Sequence, residues 1–258
     1  QLLINVGSTH DLLLYAIAAM LCSLSVIPLS MTRSSTPEFT EVSSMGLITL
    51  CKKTTSSVFG CCFAGMILSA TYGLFPILFS EIYHDTSKVS VFMFSLIMGG
   101  MLLQYPVGKL SDRIDRRLTV IFICLFAMAC SILLMYTIKS YYISLLLITL
   151  FGGFATTIYP VCISYACDAL ETKNITAGIQ GLLLAYSIGS TIGPFVAPFF
   201  MHDLNEIKVF IYFIVIFGLT AVLFTWRKTQ RISPPQEEPF QLMRQTTPVM
   251  ANIDPRAE

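Results

Sequence analysis

Seven stretches of the chain are long, apolar and free of alternation: residues 11–31, 57–80, 89–107, 118–138, 141–167, 176–201 and 207–226. A hydrocarbon core about 30 Å thick is crossed by roughly 20 apolar residues in a helix, and each stretch is close to or beyond that length. A membrane β-strand alternates lipid-facing and lumen-facing positions with a period of two, and these runs do not. Backbone amides and carbonyls in lipid must bond one another, so apolar runs of this length predict helices. The expected fold class is an all-α membrane protein, a transmembrane helix bundle.

Composition supports lipid as the solvent. Of the 258 residues, 55% are hydrophobic and 12% charged, about half the charge of an ordinary soluble domain, which is near 25%. Mean hydropathy is +0.73. The net charge is +1, which gives a nucleic-acid partner no basic footprint. Seven of the eight cysteines fall in apolar runs and Cys51 stands beside Lys52 and Lys53, so they read as small packing residues kept reduced, not as a disulfide framework. No metal-ligand spacing, cofactor motif or catalytic constellation is present: there is no HExxH, no buried Ser–His pair and no pair of intramembrane carboxylates. The sequence does not read as an enzyme, and no metal or cofactor is expected.

The connections set direction. Alternate loops carry Arg33, Lys52 and Lys53; then Lys109, Arg113, Arg116 and Arg117; then Lys173; then Arg227, Lys228, Arg231, Arg244 and Arg256. The loops between them carry only Lys88, Lys139 and Lys208. The positive-inside rule places the basic set, and with it the C-terminus, in the cytoplasm. The opening Gln1-Leu2-Leu3-Ile4-Asn5-Val6 has no Met, basic n-region or cleavage-like site and reads as the tail of an earlier helix. Residues 1–31 are therefore expected to end an N-terminal bundle. Residues 32–56, rich in Ser and Thr, form a cytoplasmic linker. Residues 57–228 form a six-helix transmembrane bundle, and the Pro-, Glu- and Gln-rich residues 229–258 a disordered cytoplasmic tail. Asn174-Ile175-Thr176 matches a glycosylation acceptor but falls on the cytoplasmic side, where it carries no meaning. The triplets 57–138 and 141–226 have an odd number of spans each, which inverts the second relative to the first.

The loop after 89–107 reads Gly108-Lys109-Leu110-Ser111-Asp112-Arg113-Ile114-Asp115-Arg116-Arg117, six charges in a short turn. Gly108 is expected to end a helix where the chain turns sharply. Asp112 suits the positive N-terminus of a neighbouring helix, and Arg113, Arg116 and Arg117 suit bidentate contacts to phosphates or carboxylates. Charge alone makes this a plain cytoplasmic basic loop. The order of residues resembles the G-x-L-x-D-R-x-G-R-R signature of the major facilitator superfamily, found between its second and third helices and repeated more weakly between its eighth and ninth. Asp115 stands where the signature has Gly. With residues 11–31 as helix six, the loop falls between helices eight and nine. Gly152-Gly153, Tyr159-Pro160, the Asp168-Ala169-Leu170-Glu171 close of one span and Ala185–Pro194 in the next are similar to the YcaD-type branch of bacterial facilitator transporters.

This resemblance implies a six-helix half of a twelve-helix transporter plus one preceding helix, in the cell inner or plasma membrane. Its partners would be a small-molecule substrate, the bilayer and a missing N-terminal transmembrane half. It also implies that Asp112, Arg113, Arg116 and Arg117 form a cytoplasmic charge network with Asp168 or Glu171 that latches the outward-open state. Asp168 is expected to pair with Arg113 or Arg117. The function so implied is secondary active transport of a small solute by alternating access. A non-transporting membrane receptor or scaffold is the alternative, distinguished by the absence of substrate-dependent flux.

Polar groups at membrane depth are few. Tyr72, Gln104, Tyr159, Gln180 and Tyr186 are the candidates for a central cavity, because amides and phenols are costly to bury unbonded; interhelical hydrogen bonding is the structural alternative. Gly189 and Gly193 put two glycines on one helix face, and Pro194 and Pro198 follow, so this segment reads either as close packing or as a bending point. Between residues 57 and 226 no Asp, Glu, Lys, Arg or His lies deep in a span, so this part of the protein offers no titratable group for proton coupling.

Overall fold

The computed structural model describes residues 12–31, 46–171, 174–201 and 208–226. Residues 1–11, most of the expected linker (32–45), residues 172–173 and 202–207, and those from 227 onward, where a tail was expected, lie outside them. Eight α-helices follow one another, and no strand occurs among the described residues: α1 (Leu12–Met31), α2 (Leu47–Lys53), α3 (Thr55–Tyr83), α4 (Thr86–Arg113), α5 (Arg116–Thr137), α6 (Tyr141–Cys167), α7 (Ile175–Val196) and α8 (Lys208–Trp226). A 3₁₀ turn, Ala197–Met201, extends α7. It contains Pro198, which lacks the N–H needed to continue an α-helical ladder. Six helices, α3 to α8, are long and apolar enough to cross a membrane. The chain is an all-α, multi-pass membrane protein.

The elements differ from expectation in three places. Linker was expected up to residue 56, yet Leu47–Lys53 is helical and α3 begins at Thr55. Leu50 is the reason: it is fully buried in the bundle core, so this stretch is held by packing. The helix α4 does not end at Gly108 but runs on to Arg113, with Gly108 in ordinary helical backbone. The turn is thereby only Ile114-Asp115. Asp115, where the signature has Gly, caps α5 by accepting from the Arg117 amide at 3.1 Å.

Two helix crossings organise the bundle, α3 with α7 and α4 with α6. Both are lined by glycine. A Cβ on Gly99 would fall on the Thr149 carbonyl, and one on Gly152 on the Leu96 carbonyl. At the other crossing, Gly65 faces the Tyr186 carbonyl, Gly189 faces Cys62 and Gly193 faces Met66. Hence Gly189 and Gly193 lie on one face of α7 with their backbone against α3. Under the inverted pairing of α3–α5 with α6–α8, α3·α7 and α6·α4 are equivalent contacts, so the two crossings are one arrangement used twice. The outer helices α5 and α8 pack against each other.

An aromatic core ties the triplets together. Phe75 of α3 sits 5.4 Å from Phe151 of α6 and 5.2 Å from Phe213 of α8, ring centre to ring centre, in the offset and edge-on geometries aromatic rings prefer. Phe79 stacks on Phe92 of α4 at 4.4 Å. The buried Tyr212 hydroxyl donates to the Met66 carbonyl at 3.1 Å. Near the other end Tyr83 donates to the Ile138 carbonyl at the close of α5, at 2.6 Å. All eight cysteines are free thiols, with Cys61, Cys124 and Cys162 fully buried among apolar neighbours.

Replacing Gly99 or Gly189 by Val should lower the stability of the purified protein by about 1–3 kcal/mol or prevent folding. The neighbouring Gly73 has open space where a Cβ would stand, so Gly73→Ala should be neutral or stabilising by up to about 1 kcal/mol. Thermal unfolding in detergent separates the two cases.

Candidate functional site

The short turn between α4 and α5 concentrates the basic residues. Arg116 Nε lies 3.2 Å from Asp168 Oδ2, at the end of α6, and Arg116 Nη2 lies 3.6 Å from Asp112 Oδ1. The guanidinium side chain is 24% exposed, Asp168 41% and Asp112 72%. The first contact is therefore the better sheltered and the second is nearly a surface pair. The expected pairing of Asp168 with Arg113 or Arg117 is corrected: Arg116 takes the carboxylate. Helix geometry decides it. Arg116 opens α5 on the side facing α6, whereas Arg113 is exposed at the end of α4 and makes no ion pair among the described residues.

Arg117 has a different task. Its Nε and Nη2 donate to the carbonyls of Phe224 and Thr225. These belong to the last described turn of α8, toward the end at which a helix's carbonyls run out of internal partners. A cation there also meets the negative end of the helix dipole. Sequence reading missed this cap because the partners are backbone atoms more than a hundred residues away. Glu171 accepts from Asn174 Nδ2 at 3.3 Å, at the entrance to α7. The ion pair the structure gives Asp112 is the one with Arg116, the first residue of α5.

Behind this turn α4 and α6 separate. They touch at Gly99 and Gly152, but a turn or two further on a cavity of about 240 Å³ opens between Gln104, Gly108, Ser111 and Asp112 of α4 and Thr157, Pro160 and Ser164 of α6. Gly108 contributes no side chain to fill it, and no atom lies within 4 Å of where its Cβ would be. Ser111 is buried, and its hydroxyl has no hydrogen-bond partner among the described residues. Sequence reading passed over Ser111, Thr157 and Ser164, since helical Ser and Thr in apolar runs ordinarily bond the preceding turn. Thr157 does so, donating to Phe154 at 2.9 Å.

The five cavity candidates do not form one group. Tyr159 of α6 and Tyr186 of α7 pack ring to ring at 4.6 Å, whereas Tyr72 of α3 stands exposed. Gln104 instead lines the α4–α6 cavity near the turn, and Gln180 is exposed on α7. Pro194 lies inside α7, and Pro198 in the 3₁₀ turn beyond it. The described residues contain no cluster of His, Cys, Asp and Glu that could hold a metal ion.

In a double-mutant cycle, Arg116→Gln and Asp168→Asn should couple by about 0.2–1 kcal/mol, the range of partly exposed pairs. Arg113→Gln with Asp168→Asn should show no coupling. Arg117→Met removes two charge-assisted bonds to helix-end carbonyls and should cost about 1.5–3 kcal/mol. Unfolding midpoints of the variants in detergent check all three.

Comparison with known proteins places this architecture. The Major Facilitator Superfamily profile matches residues 57–252. The chain is 27% identical over 213 residues to the uncharacterized MFS-type transporter YcaD of Escherichia fergusonii, and to that of Escherichia coli strain K12 / DH10B, covering 82% of this chain and 55% of theirs. It thus spans about half the length of the curated relatives it matches. A crystal structure of an auto-inhibited POT family peptide transporter superposes with a TM-score of 0.61 at 14% identity, over 73% of this chain and 40% of that one. At that identity the likeness speaks for the fold alone. The chain belongs to the Major Facilitator Superfamily.

Proposed function

We propose that this chain is the C-terminal half of a secondary transporter that moves a small solute by alternating access. The observation that carries the reading is an unmatched surface. The spans α4 and α7 are the least buried of the six, at 33% and 28% against 44% or more in α3, α5, α6 and α8. Their exposed faces mix Gln104, Gln180, Ser187 and Thr191 with apolar residues. The exposed faces of α5 and α8 are apolar: Leu125, Phe126, Ile132 and Leu133 on one, Val215, Leu219 and Val222 on the other. A face that meets only lipid has no use for amides, which are costly in hydrocarbon. The mixed faces fit a second six-helix bundle and a solute pathway between the two. That bundle is the missing N-terminal half, of which residues 1–31 are the end. The described side chains of α1, such as Tyr15, Met20, Leu24 and Met31, stand exposed, as befits a helix whose neighbours belong to that half.

In this reading residues 57–228 are the C-terminal bundle, and residues 32–45 belong to a cytoplasmic linker whose end α2 anchors. The positive-inside bias sets the α4–α5 turn and the C-terminus in the cytoplasm of a cell whose inner or plasma membrane holds the protein. Asp112, Arg113, Arg116, Arg117, Asp168 and Glu171 act at the cytoplasmic end as the latch of the outward-open state. The Arg116–Asp168 pair fixes the α4–α5 turn to α6, so that the bundle presents Arg113 and Asp112 to the opposite half as one rigid surface. Rocking of two rigid bundles about a fixed site is the motion this architecture permits, and the proline-bearing helices α3, α4, α6 and α7 supply its bending points.

A single cysteine at Gly73, an exposed mid-span position where a side chain fits, tests alternating access without knowledge of the solute. In the complete protein, otherwise free of cysteine, a membrane-impermeant maleimide should label it from either side of the membrane. Asp168→Asn should shift the ratio toward the cytoplasmic side. Labelling from one side only, unmoved by that substitution, contradicts the reading.

A further inference from the structure

The cavity behind the α4–α5 turn is lined from two helices by residues that carry oxygen. From α4 come Gln104, Ser111 and Asp112, and from α6 come Thr157 and Ser164. Its volume is about 240 Å³, room for an ion with water around it. Ser111 is 4% exposed, and its hydroxyl has no hydrogen-bond partner among the described residues. Such a group is costly to bury alone. The Thr157 hydroxyl already gives its proton to the Phe154 carbonyl, so it has only lone pairs left to offer. Pro160 adds a further acceptor. It stands inside α6 and lines the same cavity. Having no N–H, it leaves the Thr156 carbonyl, four residues earlier, without its helical donor. Thr156 is on the side of α6 that meets α4: its hydroxyl oxygen lies 2.9 Å from where a Cβ on Gly100 would stand. A carbonyl freed by proline within a membrane helix has to be satisfied by a neighbour, by water or by an ion.

The balance leans to acceptors, which suits a cation. Asp112 supplies one negative charge at the mouth, where its side chain is 72% exposed. Arg116 Nη2 stands 3.6 Å from Asp112 Oδ1, but its Nε is closer, at 3.2 Å, to Asp168 Oδ2. The guanidinium therefore neutralises Asp112 only in part. Lys109 and Arg113 are exposed on other faces of α4 and do not line the cavity. The lining residues include no His or Cys, the donors that favour transition metals. One carboxylate among neutral oxygens matches a single positive charge. Carbonyls released where a membrane helix is interrupted coordinate Na⁺ in other transporter folds.

We propose that the α4–α6 cavity binds an alkali cation, Na⁺ or K⁺, through Asp112, Ser111, Ser164, Gln104 and the acceptor oxygens of Thr156 and Thr157. The ion bridges the cytoplasmic ends of the two helices beyond their glycine contacts at Gly99 and Gly152, and it steadies the end of α6 that carries Asp168. Both walls of the site belong to this bundle, so its occupancy does not rest on the transport reading.

The test is the unfolding midpoint of the complete protein, purified in detergent, in NaCl, KCl and choline chloride at equal ionic strength. Na⁺, K⁺ or both should raise the midpoint saturably over choline by about 2 °C or more, and the salt that does so identifies the ion. Asp112→Asn should weaken the apparent affinity on the order of tenfold, and Ser164→Ala about threefold. Gly108→Leu is the variant that does not remove a ligand. No atom lies within 4 Å of the Gly108 Cβ position, so leucine fills the cavity, leaves the midpoint in choline equal or higher, and abolishes the response to the ion. Glu81→Gln, an exposed carboxylate of α3, should respond as the wild type does. Equal midpoints in all three salts overturn the proposal. So does an ion response that Asp112→Asn and Gly108→Leu leave unchanged, since the ion then binds elsewhere. None of these outcomes decides transport, which the labelling of position 73 addresses.

Discussion

Hydrocarbon offers the backbone no hydrogen bonds, and the structure depends on that deprivation. Each span satisfies its own amides and carbonyls by being helical, and once that is done lipid gives helices little hydrophobic reason to associate. What remains is close contact. In this bundle the contact is made by glycines, Gly99 and Gly152 at one crossing and Gly65, Gly189 and Gly193 at the other. With backbones this near, dispersion and weak polar contacts act over long stretches of helix. The aromatic core around Phe75 fills the space the crossings leave.

The same deprivation explains where polarity is allowed. At the spans' ends, water and headgroups tolerate charge, and there the chain places its Arg–Asp contacts and the Arg117 cap on α8. Within the spans, many polar side chains bond the preceding turn, as Thr71 and Thr220 do, Tyr212 bonds a carbonyl of α3, and others sit on faces left open toward a neighbour. Rigid glycine crossings and unfinished mixed faces are complementary properties. In the transport cycle proposed above, the first would let the bundle move as one body and the second would give it a surface to move against.

Much of this was legible in the chain. Six of the seven expected spans and their helical character followed from length and apolar uniformity, because lipid imposes the same requirement on any backbone; the first stretch, 11–31, is helical but its apolar part, Tyr15–Pro28, is shorter than a span. The Gly189–Gly193 spacing marked a packing face for the same reason. The ends of helices were less legible. Apolar runs stop at the headgroups while helices continue, so α4 ran to Arg113 when Gly108 had been expected to end it, and Leu50 drew α2 into an expected linker. Which arginine would meet Asp168 depended on the rotation of α5 at its first residue, which spacing does not reveal. Gln104 and the three tyrosines shared membrane depth but not a face, and depth is all that a hydropathy pattern gives.

The central claim is that this chain threads the bilayer repeatedly, with its basic turns together on the inner face. Two single-cysteine variants of the complete protein, otherwise cysteine-free, address it: Leu110→Cys, at an exposed position in the last turns of α4, and Ser140→Cys, between α5 and α6. The account predicts that an impermeant maleimide labels position 140 on intact cells and position 110 only after permeabilisation. Labelling of both from the same side of an intact membrane would contradict it.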